Sequence, residues 1–154
     1  MTEPLSLEQL LARDGRLIRP NKGHSMMPLL REGRDLMVIE KKGPAPCRKW
    51  DAVLYRRQQL PGRGAYVLHR VLRVNGDGSY WIVGDNCTRG ETVREEQILG
   101  VLRAVVRGGR TLSVDSPPLR LYTWLWCVCP PLRFGLLRLK HRVGSHLRAW
   151  GLRK

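Results

Sequence analysis

The apolar positions along this chain change period twice, and each change marks a different kind of structure. Residues 5–13 carry Leu7, Leu10 and Leu11 on one helical face. Ser6 and Gln9 form the S-x-x-Q pattern that caps a helix at its start. The spacing predicts a short helix there, followed after Gly15 by an extended stretch at 16–19. Residues 20–34 hold two prolines, two glycines and no clean period, and read as a loop. From residue 36 the pattern turns to strands: 36–40, 51–57, 65–74, 79–84, 98–106 and 111–115. Asn75-Gly76-Asp77-Gly78 and Gly108-Gly109 supply hairpin turns, because Asn and Gly tolerate positive φ. The strands do not alternate with helices, so a doubly wound parallel sheet is not expected.

Ser116-Pro117-Pro118 closes the strand region, and the pattern becomes helical again. Leu132, Leu136, Leu139, Val143, Leu147 and Trp150 make one stripe. Pro130-Pro131 separates this stripe from an apolar patch, LYTWLWCVC. The expected organisation is a helix and lead-in at 1–19, a β domain at 20–115 and a basic amphipathic helical tail at 116–154.

Composition changes the picture mainly through charge. There are 28 Lys and Arg against 13 Asp and Glu, a formal net charge of +15. An excess of that size implies an anionic partner. Residues 119–154 contain eight Lys or Arg and no acid. The mix of that charge with Trp124, Trp126, Trp150 and the Leu/Val stripe points to an anionic membrane surface rather than to nucleic acid. The rival reading packs this tail against the β domain. Cys47, Cys87, Cys127 and Cys129 form no CxxC pair and no zinc pattern, and read as reduced thiols. No apolar run reaches ~18 residues and no basic-then-apolar leader opens the chain, so the expectation is a cytoplasmic monomer, peripheral at the membrane. Neither a phosphate-binding glycine loop nor a dinucleotide fingerprint is present, and no metal or cofactor is expected.

Three short elements carry candidate chemistry. Gly23-His24-Ser25-Met26-Met27-Pro28 presents a Ser in a turn opened by Gly23. A serine hydroxyl needs a base within hydrogen-bond reach and donors for the oxyanion. His69 lies in YVLHRVL, where Val67, His69 and Val71 share one strand face and Leu68, Arg70 and Leu72 the other. Partial burial there keeps an imidazole neutral near pH 7, as a general base requires. Gly84-Asp85-Asn86 follows the strand at 79–84 and offers a carboxylate to orient the imidazole, with Asp35 and Asp51 as rivals.

In this order the elements resemble the signal peptidase I and LexA-type repressor superfamily. GHSMMP is similar to its nucleophile box. RKWDAVLY is similar to a second box, with Trp50 where Gly is common. YVLHRVLRVNGDG resembles the base-bearing box and WIVGDN the last, so the resemblance spans about residues 20–105. His69-Arg70, where most bacterial members have Lys, resembles the endoplasmic-reticulum-type branch. The resemblance implies a coiled, mainly β body and cleavage of a leader or signal-like peptide after a small residue. It implies Ser25 as nucleophile, His69 as base and Asp85 as orienting acid. It gives the oxyanion and substrate-binding loop to Gly23, Ser25 and Met26, with the Ser25 N–H as donor. Two other functions compete with a peptidase: a peptide-binding module that does not cut, and a basic protein that binds nucleic acid or membrane.

Overall fold

The computed structural model describes residues 5–57, 65–128, 133, 135 and 137–139. The fold is mainly β: one antiparallel eight-stranded sheet with a few short helices. Helix α1 (Leu7–Asp14) opens it. Ser6 Oγ accepts from the Gln9 N–H at 3.2 Å and Gln9 Oε1 from the Ser6 N–H at 2.8 Å, so two of the free donors at the helix start are satisfied. Gly15 ends the helix at φ 67°, a left-handed conformation that glycine adopts without strain.

The strands are β1 (Arg16–Pro20), β2 (Asp35–Lys41), β3 (Ala52–Arg57), β4 (Ala65–Val74), β5 (Tyr80–Val83), β6 (Gly90–Val93), β7 (Ile98–Arg107) and β8 (Arg110–Ser113). Their spatial order is β1-β2-β7-β3-β4-β5-β6, with β8 also paired to β7. The long strand β7 makes this possible. It gives one edge to β2 and divides the other between β3, over Ile98–Val101, and β8, over Ala104–Arg107. Register shifts between Val38 and Ile39, Leu54 and Tyr55, and Val71 and Arg73 mark bulges that add bend and twist. The lead-in at 16–19 is therefore not separate from the β domain, because β1 pairs with β2 along its whole length.

Strand alternation gives the sheet a core on each face. Ala52, Leu54 and Leu68 join Leu11, Leu17, Met26, Leu30 and Leu102 on one side. Val53, Tyr55 and Val71 join Tyr80, Ile82, Val93 and Val101 on the other. Strand β3 is buried on both faces from Ala52 to Tyr55, so its sequence reads as a continuous apolar run.

Two elements differ from the sequence reading. β6 has only four residues, GETV, with a single fully buried side chain, Val93. The patch LYTWLWCVC lies mostly within a helix, α2 (Pro117–Val128). It docks on the β domain: Leu119 and Tyr122 pack against the first core, and Cys127 is buried. Of the stripe expected beyond Pro130-Pro131, Leu139 is helical and exposed, and the other five residues lie outside the described residues.

Candidate active site

The loop before β2 holds Ser25 in a fixed backbone. Gly23 sits at φ 79°, and its carbonyl accepts from Asn21 Nδ2 at 3.1 Å. Nothing lies within contact distance of a side chain at Gly23, so the glycine is required for backbone direction rather than for space. Met26 is buried in the first core and anchors the loop from below. From the other side comes the segment after β5. The Asn86 N–H donates to the Ser25 carbonyl at 2.7 Å, and Asn86 Nδ2 donates to the His24 carbonyl at 3.1 Å. His24 itself turns to the surface, 4.0 Å from Glu32.

Ser25 and His69 line one cleft of about 650 Å³, with Met37, Leu54 and Leu68 among its apolar walls and Arg19 and Lys22 on its polar side. Gly84 measures how closely they approach. A methyl group there would fall 2.7 Å from the Ser25 carbonyl oxygen, 2.8 Å from Cys87 Sγ and 2.9 Å from His69 Nε2. All three atoms therefore crowd around one backbone position, which only glycine fits. The Ser25 hydroxyl and the imidazole are not hydrogen-bonded to each other in this arrangement. Among the described residues the Ser25 N–H also has no acceptor.

No known family model, curated protein or solved structure matches the chain. The chemistry has to be read from the residues themselves, and the partners of His69 are the informative ones. Its Nδ1 lies 3.2 Å from the Tyr55 hydroxyl, and Tyr55 donates to Glu91 Oε1 at 2.6 Å. Tyr55 has one proton. That proton is directed at Glu91, which accepts it in a hydrogen bond, and burial, which opposes the Glu91 charge, is outweighed by hydrogen bonds from Arg57 and Tyr55 that hold its pKa below the usual range. Glu91 is thus an ionised acceptor, and the Tyr55 oxygen must accept from His69 Nδ1–H. The remaining ring nitrogen, Nε2, carries a lone pair and faces Gly84, Ser25 and Cys87. Arg57 closes the chain by gripping Glu91, with Nε at 3.0 and 3.1 Å from its two oxygens.

His69 is only 7% exposed, and burial pushes its pKa down to about 4, with the Arg57 charge acting in the same direction. The ring is neutral at pH 7. The neighbouring thiol of Cys87 has its pKa raised by burial, so it stays protonated and unreactive.

Asp85 does not orient His69. Its carboxylate is fully buried and occupied by Arg70, whose Nε and Nη2 donate at 2.7 and 2.8 Å, and by the Tyr122 hydroxyl at 2.8 Å. The cause is strand parity. His69 and Arg70 are adjacent in β4 and point to opposite faces, and the buried guanidinium claims the acid. Asp85 reaches the imidazole only through space, as a minor field that raises its pKa. The rivals are engaged as well. Asp35 is bound by Arg34 and Arg107, and Asp51 accepts from the Arg48 N–H at 2.8 Å.

Sequence reasoning overlooked Tyr55, Glu91 and Arg57. In β3, Tyr55 shares a face with Val53, the register partner of His69, so it stands diagonally across from the ring. The β3–β4 register would have exposed that pair. Glu91 lies in the strand that the apolar pattern did not reveal.

Proposed function

We propose that the protein is a serine peptidase with Ser25 as nucleophile and His69 as general base, and that Tyr55 and Glu91 replace the usual orienting aspartate. The observation that carries this reading is the hydrogen-bond chain that holds His69. Its Nδ1 pairs with the Tyr55 hydroxyl, which donates to Glu91, and the ring lines the same cleft as Ser25. A buried imidazole held in one tautomer, beside a serine in a rigid loop, is what proton abstraction from a hydroxyl requires.

In the mechanism, Ser25 Oγ attacks a substrate carbonyl as its proton passes to His69 Nε2. The carbonyl oxygen becomes an oxyanion and takes the free Ser25 N–H. The imidazolium is stabilised through Tyr55 by the Glu91 carboxylate, one hydrogen bond further away than in a Ser-His-Asp triad. Collapse of the tetrahedral adduct breaks the C–N bond, and the amine leaves with the proton from Nε2. Water then repeats the sequence on the acyl-serine and restores the enzyme.

The order of the sequence boxes supports a signal peptidase-like substrate, a peptide cut after a small residue. Trp50 adds to that resemblance. It stands where the family's box commonly has Gly, and its φ of 78° is a conformation that glycine reaches most easily. Digestion of a degenerate peptide library, read by mass spectrometry, tests the proposal. Cleavage by the wild type that disappears in Ser25→Ala and in His69→Ala is the expected result. Peptides retained by the wild type but never cut would make the protein a binding module instead. Cleavage that survives Ser25→Ala would remove the serine from the mechanism.

A further inference from the structure

Helix α2 has two apolar faces, and the protein uses one of them. The inner face meets the β domain through Leu119, Tyr122, Trp126 and Cys127. On the outer face Leu121, Trp124, Leu125 and Val128 are 56%, 50%, 61% and 50% exposed. The spacing i, i+3, i+4, i+7 joins them into one stripe along the helix. Single exposed leucines are ordinary, whereas a contiguous stripe that includes a tryptophan marks a surface made to be covered.

The charge around the stripe identifies what covers it. Arg120, the only charged residue of α2, adjoins it. From Ser116 to the last residue the chain carries eight Lys or Arg and no Asp or Glu; of these Arg133 is buried and donates to the Gly84 carbonyl, while Arg120 and Arg138 are exposed, as is Leu139. A nucleic acid would satisfy the cations and leave the stripe in water. An apolar protein groove would cover the stripe and leave the cations without counter-charge. An anionic lipid surface satisfies both, since apolar side chains enter the headgroup boundary while cations meet phosphates. Among the described residues no helix is long and apolar enough to cross a membrane.

We propose that the outer face of α2 docks the protein on an anionic bilayer, with Trp124 at headgroup depth. The proposal is independent of the peptidase reading, and Ser25→Ala should bind vesicles as the wild type does.

Co-sedimentation of the full chain with phosphatidylcholine vesicles, with and without phosphatidylglycerol, tests it. The anionic vesicles should bind more tightly, by about fivefold for each cation that reaches the surface. The triple variant Leu121→Ser, Trp124→Ser, Leu125→Ser removes apolar contact from the outer face only. Its partition into anionic vesicles should fall about a hundredfold, while its thermal midpoint stays near that of the wild type. Should that variant misfold, Trp124→Phe answers the same question: quenching of tryptophan fluorescence by headgroup-proximal brominated lipid should drop sharply. Equal partition of the triple variant and the wild type would overturn the proposal. So would failure of the wild type to sediment with anionic vesicles, or stripe-dependent self-association without vesicle binding.

Discussion

Replacing Glu91 with Gln tests the proton arrangement while preserving the shape of the site. Glu91 accepts from Tyr55 at 2.6 Å and from Arg57 Nε at 3.0 and 3.1 Å. Glutamine has one acceptor oxygen and one NH2 group. Arg57 can only donate, so the oxygen turns to Arg57 and the NH2 faces the Tyr55 oxygen. Tyr55 then accepts from residue 91, and its own proton is directed at His69 Nδ1. The imidazole must keep its remaining proton on Nε2, where the mechanism needs a lone pair. A positioned general base contributes about 10²–10⁴-fold. The wrong tautomer forfeits most of that and leaves the oxyanion donor and the cleft untouched. The expected fall in kcat/KM is therefore about 10²–10³-fold, nearly all of it in kcat. Tyr55 and Arg57 keep hydrogen-bond partners, so the stability change should be about 1 kcal/mol. Two-bond 1H–15N correlation spectra report the tautomer without a substrate: Nδ1–H in the wild type, Nε2–H in the variant. A wild type already in the Nε2–H form, or a Glu91→Gln enzyme with full turnover, would refute the reasoning.

Three further outcomes follow from the same geometry. Burial places the His69 pKa at about 4, below its ordinary 6.5, so turnover should hold on the acid side down to about pH 5 and then fall with an apparent pKa near 4. Between those two values the unfolded chain binds the extra proton first. Stability is therefore undiminished above pH 6.5 and falls by about 3 kcal/mol as the pH drops towards 4, a slope that His69→Gln should flatten in denaturant titrations. Asp85→Ala leaves the guanidinium of Arg70, 3% exposed, buried without its counter-charge. It should cost about 3–5 kcal/mol, or about 10 °C in the thermal midpoint, and Arg70→Met in the same chain should recover much of the loss. An Asp85→Ala protein with wild-type stability and abolished turnover would return Asp85 to a catalytic role.

The parts of the fold that were legible in the sequence are those set by local chemistry. The capping box of α1 and the glycine turns at Gly78, Gly108 and Gly109, all at positive φ, are decided within a few residues. β6 was not legible, because a four-residue polar strand shows no alternation. It is held by pairing with β5, and at Gly90 any side chain would meet Val83 and the Ile82 carbonyl. α2 was hidden for the opposite reason. Its apolar residues occupy both an inner and an outer face, so no single stripe emerges. Box order paired Ser25 with His69, and the two line one cleft without a hydrogen bond between them. Asp85 was misassigned because residue type and position suited an orienting acid, while the deciding competitor, Arg70, acts through tertiary burial. The Tyr55–Glu91 chain depends on the registers of three strand pairs, β3–β4, β4–β5 and β5–β6, which no local pattern fixes.

The misassigned acid still bears on Ser25, by a different route. Asp85 is gripped by Arg70 and Tyr122, its carbonyl accepts from Trp126 Nε1 at 2.9 Å, and Arg133 donates to the carbonyl of Gly84. The next residue, Asn86, holds the carbonyls of Ser25 and His24. The inner face of α2 thus fixes the segment that fixes the Ser25 loop, while His69 is held from the opposite face of β4 by Tyr55, Glu91 and Arg57. Two ionic assemblies, built on adjacent residues of one strand, divide the work of positioning. One sets the proton on His69 and the other sets the backbone of Ser25. A disturbance of α2 should therefore move the serine and leave the imidazole tautomer unchanged, whereas a disturbance at Glu91 should do the reverse.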